Sequence, residues 1–247
     1  MLPPIRGFME SSLLEWDGRI VSVVCLQGCN LRCPYCHSHH LISRNMPPET
    51  VPLAQVLAFL EGRRGWVDGV VVSGGEPTIH PELPEFLAAF KAAGLPVKLD
   101  TNGSNPGMLA DVIDMGLADY VAMDLKAPLE PERYAAVCGA PVEVAAVARS
   151  ARVLLRNRVD YEFRTTVCPA FVSLEDLEAM AASIAGARRY VLQQFVPETS
   201  FRRELRLMRP YAQADLIAAS QKLRQHVKEC HLRGQPAPAM AAAAGGG

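Results

Sequence analysis

The sequence predicts an α/β fold built on a parallel sheet. Two observations carry this. Short β-branched runs alternate with amphipathic helical stretches six times along the chain, the pattern of βα units whose strands lie parallel. The first of these runs are apolar throughout, as in strands covered by helices on both faces. An open doubly wound sheet or an incomplete barrel satisfies both, and in either one ligands sit at the carboxyl ends of the strands.

The elements follow in order. Residues 19–26, RIVSVVCL, read as the first strand. A cysteine-rich loop follows, and then Leu53, Val56, Leu57 and Leu60 recur with the spacing of one helical face. Residues 69–75, GVVVSGG, are a buried strand ending in glycines, and 81–94 a helix stopped by Gly94 and Pro96. Residues 97–103, VKLDTNG, form the third strand, 106–116 a helix, and 119–128, DYVAMDLKAP, the fourth strand. Helical segments around 131–137 and 142–157 lead to a fifth strand at 160–169, DYEFRTTVCP. Ser173, with Asp176 three residues on, nearly completes a capping box for a helix that ends before Gly186. Residues 189–197, RYVLQQFVP, are the sixth strand, and a last long helix runs from about Tyr211 to Glu229. Residues 1–233 read as a single domain without internal repeats. The low-complexity tail, 234–247, is expected to be disordered.

A chain of 247 residues suits one α/β barrel. Its hydrophobic fraction of 49% and charged fraction of 21% suit a soluble core. A formal net charge of −1 gives no reason to expect nucleic acid or an acidic membrane surface as partner. No apolar run approaches the ~18 residues of a membrane span. The first residues lack the basic-then-apolar pattern of a signal peptide, so the expected location is cytoplasmic. Three of the seven cysteines lie between positions 29 and 36. In a reducing compartment such clustering argues for metal or redox chemistry. Cys25, Cys138, Cys168 and Cys230 are scattered and read as small buried hydrophobes.

The polar residues gather after the strands: the cysteine loop, then SGGEP, DTNG and DLK. They should converge on one mouth. The loop itself, LQGCNLRCPYCHSHH at 26–40, is open to four chemistries. Cys33 and Cys36 are spaced like a redox dithiol, which leaves Cys29 without a role. With His37 they spell a haem attachment site, which normally requires export. Three thiolates and a histidine could close a zinc site, although structural zinc usually draws on two separated ligand pairs. A [4Fe–4S] cluster fits better. It usually takes four thiolates, one per iron, so three leave one iron open for an exchangeable ligand.

Cys29, Cys33 and Cys36 in a C-x3-C-x2-C spacing, followed by the strand VVVSGGEP, resemble the signature of the radical S-adenosylmethionine (SAM) enzymes. The resemblance narrows over residues 7–42 and through KLDTNGSNP, YVAMDLKAP and FRTTVCP. There the chain looks like the activating proteins of anaerobic ribonucleoside-triphosphate reductase, in the branch related to pyruvate formate-lyase activators. It implies an incomplete (β/α)6 TIM-type barrel with a radical SAM core. It implies that Cys29, Cys33 and Cys36 hold a [4Fe–4S] cluster whose open iron chelates SAM, and that Tyr35 lies against the adenine with His37 near SAM. Gly74, Gly75 and Glu76 match the segment that binds the methionyl group, with the glycines allowing close backbone approach and the carboxylate accepting from the ammonium. Asp124 and Lys126 match contacts to the ribose and carboxylate region, and Arg164 a strand-end contact to the SAM carboxylate. Asp100, Thr101 and Asn102 match a polar strand end near a cation site.

The chain departs from the pattern where activators carry a histidine after the sixth strand. Here Gln193, Gln194 and Phe195 stand instead, and Ser38 replaces a frequent asparagine. The resemblance implies one-electron cleavage of SAM to methionine and a 5′-deoxyadenosyl radical, which would abstract hydrogen from a glycine of a partner glycyl-radical enzyme. A flavodoxin- or ferredoxin-type protein would donate the electron. Two other readings stand beside it: a radical SAM enzyme acting on a small molecule, like 7-carboxy-7-deazaguanine synthase, and a non-enzymatic zinc or thiol module.

Overall fold

The computed structural model describes residues 2–42 and 50–234; the expected disordered tail, from 235 onward, lies outside the described residues. Among these residues eight strands form one sheet in sequence order: β1 (Ile5–Ser12), β2 (Val21–Leu26), β3 (Gly69–Gly74), β4 (Val97–Thr101), β5 (Tyr120–Asp124), β6 (Asp160–Val167), β7 (Arg189–Gln194) and β8 (Glu229–Arg233). From β2 to β8 every neighbouring pair is parallel, and β1 is antiparallel to β2. The six expected strands are β2 to β7, and they form the partial barrel. The two strands unforeseen in the sequence, β1 and β8, are its edges.

Among the described residues seven α-helices cover the sheet: α1 (Leu53–Glu61), α2 (Leu83–Ala92), α3 (Pro106–Asp114), α4 (Pro131–Cys138), α5 (Val144–Leu155), α6 (Leu174–Ser183) and α7 (Gln213–Leu223). The expected long terminal helix is therefore shorter: α7 ends at Leu223, and the chain turns to lay β8 along β7. At α6 the capping box is complete. The Ser173 hydroxyl accepts from the Asp176 amide at 3.1 Å, and the Asp176 carboxylate accepts from the Ser173 amide at 2.8 Å.

Alternation along the strands sends side chains to two places. Val24, Leu26, Val70, Val72, Leu99, Val121 and Phe163 join the helices in the main core. Val21, Val23 and Val71 point the other way and pack with Trp16, Cys25 and Tyr120 in a second apolar cluster. The Lys98 ammonium is buried next to that cluster, hydrogen-bonded to the Glu15 carbonyl and 5.8 Å from the Tyr120 ring centre.

Candidate active site

At the carboxyl ends of the strands lies a cavity of about 260 Å³. Its wall contains the thiols of Cys29, Cys33 and Cys36 together with Tyr35, His37, Gly74, Gly75, Asn102, Asp124 and Lys126. Ten of the residues singled out in the sequence thus meet at one place, from four different strand ends. Glu76, Asp100 and Arg164 are not in the wall.

The cysteine loop is held by backbone bonds from three directions. Gly28 N donates to Leu41 O at 2.7 Å, Arg32 N to Cys138 O at 2.8 Å, and Glu76 N to Gly28 O at 2.8 Å. This docking explains the two glycines of SGGEP beyond their closeness to a ligand. A Cβ on Gly75 would lie 1.9 Å from the Gly28 carbonyl oxygen, and one on Gly74 2.3 Å from the Leu26 nitrogen. Gly74 also has φ +120°, which side-chain-bearing residues rarely adopt.

Glu76 stabilises the same corner from beneath. Its Oε1 accepts from the Thr78 amide at 3.1 Å and from the Thr78 and Thr101 hydroxyls at 2.6 and 2.7 Å, and its Oε2 accepts from the Asn102 amide at 2.6 Å. Burial raises the pKa of this carboxyl and the four donors oppose the rise. Its four donors are protein groups, and through them it ties the end of β3 to the end of β4. Asn102 stands on the wall as a result. Its side-chain amide donates to Asn30 Oδ1 at 2.9 Å, and Asn30 donates to Ser104 at 2.8 Å, which fastens the cysteine loop to the turn after β4. The sequence reading gave Asn30 no part.

A line of alternating charges leads down from the wall. Lys126 Nζ lies 3.1 Å from Asp124 Oδ2, Asp124 Oδ1 accepts from Arg164 Nε at 3.0 Å, and Arg164 Nη1 reaches Asp100 Oδ2 at 3.2 Å. Lys98 follows at 3.5 Å from Asp100 Oδ1. Asp100 also accepts from the Ser73 hydroxyl at 3.1 Å. The cations beside Asp100 are therefore Arg164 and Lys98, and Arg164 spends its guanidinium on two carboxylates rather than on the wall. Lys126 faces the cavity. Burial works against its charge, but Asp124 and the nearby thiol and phenol groups hold its pKa above the ordinary lysine value.

The carboxyls of Asp100 and Asp124 sit below their ordinary pKa: burial would raise them, and Arg164, Lys98 and Lys126 outweigh it. A carboxyl lowered on folding contributes stability above its unfolded value of about 4, and loses it as pH falls through the folded value. Arg164→Leu leaves Asp124 only Lys126 and Asp100 only Lys98 as cationic neighbours, and is expected to cost about 1–3 kcal/mol at neutral pH. The deficit should shrink below about pH 4, where protonation removes both charges. Denaturant unfolding of variant and parent at the two pH values measures this; a constant deficit would refute the assignment.

Burial pushes the Cys29 thiol up to about 12 and raises Cys36. Cys33 moves the opposite way, because the buried Cys138 thiol at the end of α4 hydrogen-bonds to it. Cys138, expected only to fill space, is thus a neighbour of the site. Among the described residues no three His, Cys, Asp or Glu side chains are gathered closely enough to hold a single metal ion. The three thiols instead share the wall of one cavity. A metal centre binds thiolates and displaces their protons, and a cluster with one thiolate per iron spreads its ligands. The donor set fits a [4Fe–4S] cluster.

His37 Nε2 lies 3.0 Å from the Val196 carbonyl oxygen, so the loop is latched to the chain leaving β7. Of Gln193, Gln194 and Phe195, Gln193 faces the cavity, with Thr166 of β6 beside it. Gln194 turns away to the Tyr211 carbonyl, and Phe195 is buried. His39 packs on Phe201 and His40, outside the cavity wall.

The fold and this cavity define an α/β partial-barrel enzyme with a three-thiol cofactor cradle at the strand ends. The radical SAM superfamily model matches residues 23–184, and the chain belongs to that superfamily, whose members use a [4Fe–4S] cluster and SAM. A Methanocaldococcus jannaschii protein named as a candidate glycyl-radical enzyme activating enzyme is 30% identical over 206 residues, 82% of this chain and 84% of that protein. The 7-carboxy-7-deazaguanine synthase of Aquifex aeolicus is 35% identical over 95 residues, 37% of this chain and 42% of the synthase. Among solved structures, Streptococcus suis SuiB bound to its precursor peptide SuiA superposes with a TM-score of 0.64 at 16% identity. That match covers 87% of this chain and 48% of SuiB, and shares the fold. Among the described residues no helix is long and apolar enough to cross a membrane.

Proposed function

We propose that this chain is a radical SAM activase that installs a glycyl radical on a partner enzyme, anaerobic ribonucleoside-triphosphate reductase in particular. Its closeness over most of its length to a candidate activating enzyme carries the reading, and the match of Asp124, Lys126 and His37 to activase positions supports it. In this reading Cys29, Cys33 and Cys36 hold the cluster. Lys126, fixed by Asp124, meets the SAM carboxylate; Gly74 and Gly75 offer backbone to the methionyl group; Tyr35 covers the adenine. When bound, cluster and SAM supply reductive carbon–sulfur cleavage and, from it, hydrogen-atom abstraction. The residues around them supply orientation and exclude water. Among the described residues β1 and β8 are not paired with each other, which supports a protein loop as substrate.

The partial match to deazaguanine synthases favours a second reading, a small-molecule substrate. Anaerobic reconstitution with iron and sulfide, followed by EPR of the dithionite-reduced protein with and without SAM, is expected to show an iron–sulfur signal that SAM perturbs. Adding the reductase should then yield a glycine-centred radical in step with 5′-deoxyadenosine. Acceleration of SAM cleavage by a deazaguanine-synthase substrate, with no radical on the reductase, would establish the second reading. Stoichiometric zinc without SAM cleavage would overturn both.

A further inference from the structure

Between β7 and α7 the chain carries charge that the proposed chemistry does not use. Arg202, Arg203, Arg206 and Arg209 are all exposed there, against two carboxylates, Glu198 and Glu204. None of the four makes an ion pair among the described residues. Some exposed arginines elsewhere are paired, as Arg133 is with Asp176, Arg188 with Asp160 and Arg158 with Asp114, and others, such as Arg152 and Arg224, are not; here four stand together on one segment. In a chain of net charge −1 this is a local excess of positive charge. Large apolar side chains lie among the arginines: Phe201 is 43% and Leu207 96% exposed, while buried Leu205 anchors the segment.

The segment rests directly on the cysteine loop. Arg202 N donates to the Pro34 carbonyl at 2.8 Å, and Pro34 follows Cys33 in sequence. The Phe201 ring lies 5.4 Å from that of His39, and the His37–Val196 contact closes the upstream end. A protein seated on residues 201–209 is thus one hydrogen bond from the backbone between Cys33 and Cys36.

We propose that this surface docks the acidic one-electron carrier protein, of flavin or iron–sulfur type, that reduces the cluster. The step moves one electron: the carrier's redox group is oxidised, the cluster is reduced, and no bond forms or breaks. Such complexes are small and transient. Unpaired arginines steer an acidic partner and raise its encounter rate, and exposed apolar groups among them give it contact once it arrives. The inference rests on the cofactor set and not on which substrate is used, so its readout is SAM cleavage without any substrate.

The test compares two reductants. With limiting reduced flavodoxin, Arg202→Glu/Arg203→Glu is expected to form 5′-deoxyadenosine about tenfold more slowly than the parent. With dithionite, which needs no docking, the rates should match. Arg203→Gln/Arg209→Gln should fall between, and added salt should slow the flavodoxin-driven parent selectively. Unchanged flavodoxin-driven rates would overturn the proposal. So would equal losses with both reductants in both variants, which would place the arginines in the cofactor site. Normal SAM cleavage with loss of radical transfer to the reductase alone would assign the surface to the substrate instead. Failure to cleave SAM with either reductant in the parent would instead count against the catalytic reading.

Discussion

Cys33→Ala is expected to abolish 5′-deoxyadenosine release and to remove the iron–sulfur absorbance of the reconstituted protein. Cys33 is the most enclosed of the three thiols, 8% exposed, while Cys29 and Cys36 are only partly buried. It also lies against the buried Cys138 thiol and near the Lys126 ammonium, both of which favour its anion while burial opposes it. The most enclosed ligand is the one that water or another side chain can least replace. The Cys36 amide donates to the Cys33 carbonyl at 3.0 Å, so the loop itself should keep its shape in the variant, and the loss should be of metal rather than of fold. Circular dichroism should therefore be unchanged while iron content falls. Cys138→Ala is the matched control. It removes a sulfur from the same neighbourhood, leaves the three cavity thiols, and is expected to keep the cluster. Retention of cluster and cleavage by Cys33→Ala would refute the assignment of ligands.

The elements that carry the chemistry were legible because they obey local rules. β2 and β3 are unbroken apolar runs, and the strand-end clusters follow from where ligands bind a parallel sheet. β1 was not legible: IRGFMESS is mostly half-exposed, with register shifts on both sides of its pairing. β8 was not either, because in ECHLR only Cys230 is buried. An edge strand needs no continuous apolar face, so its sequence lacks the signal. In the site, motif positions on loops reached the wall. Glu76, Asp100 and Arg164 did not, and the reason is tertiary. The Glu76 oxygens, Asp100 Oδ2 and the Arg164 guanidinium are engaged by Thr101, Asn102, Ser73 and Asp124, from neighbouring strand ends and turns whose register no single-strand pattern reveals. Cys138 meets Cys33 only because the helix after β5 ends against the cysteine loop, a contact spanning about a hundred residues that periodicity cannot carry.

Gly75→Ala should come closest to a cysteine substitution in effect, although it removes no ligand. The added methyl would lie 1.9 Å from Gly28 O, 2.5 Å from Gly28 C and 3.2 Å from Cys29 N. All three are backbone atoms, so no rotamer change relieves the overlap, and the end of β3 must move away from the loop that begins at Cys29. That separation strains two hydrogen bonds, Gly75 N to Leu26 O at 2.9 Å and Glu76 N to Gly28 O at 2.8 Å. Overpacking costs about 1–3 kcal/mol, and each weakened bond about 0.5–1.5 kcal/mol more. For a chain of this size each kcal/mol lowers Tm by about 2–4 °C. The strain falls next to Cys29, so cluster content should drop with Tm. Gly107→Ala separates this clash from a general intolerance of alanine. Gly107 lies in the first turn of α3, and its added Cβ meets nothing nearer than Asn105 Oδ1 at 3.7 Å. There the substitution should stabilise by about 0.4–1 kcal/mol, since it restricts the unfolded chain without strain in the folded one. If Gly75→Ala keeps its cluster and melts with the parent, β3 and the cysteine loop are not wedged together as the backbone distances require.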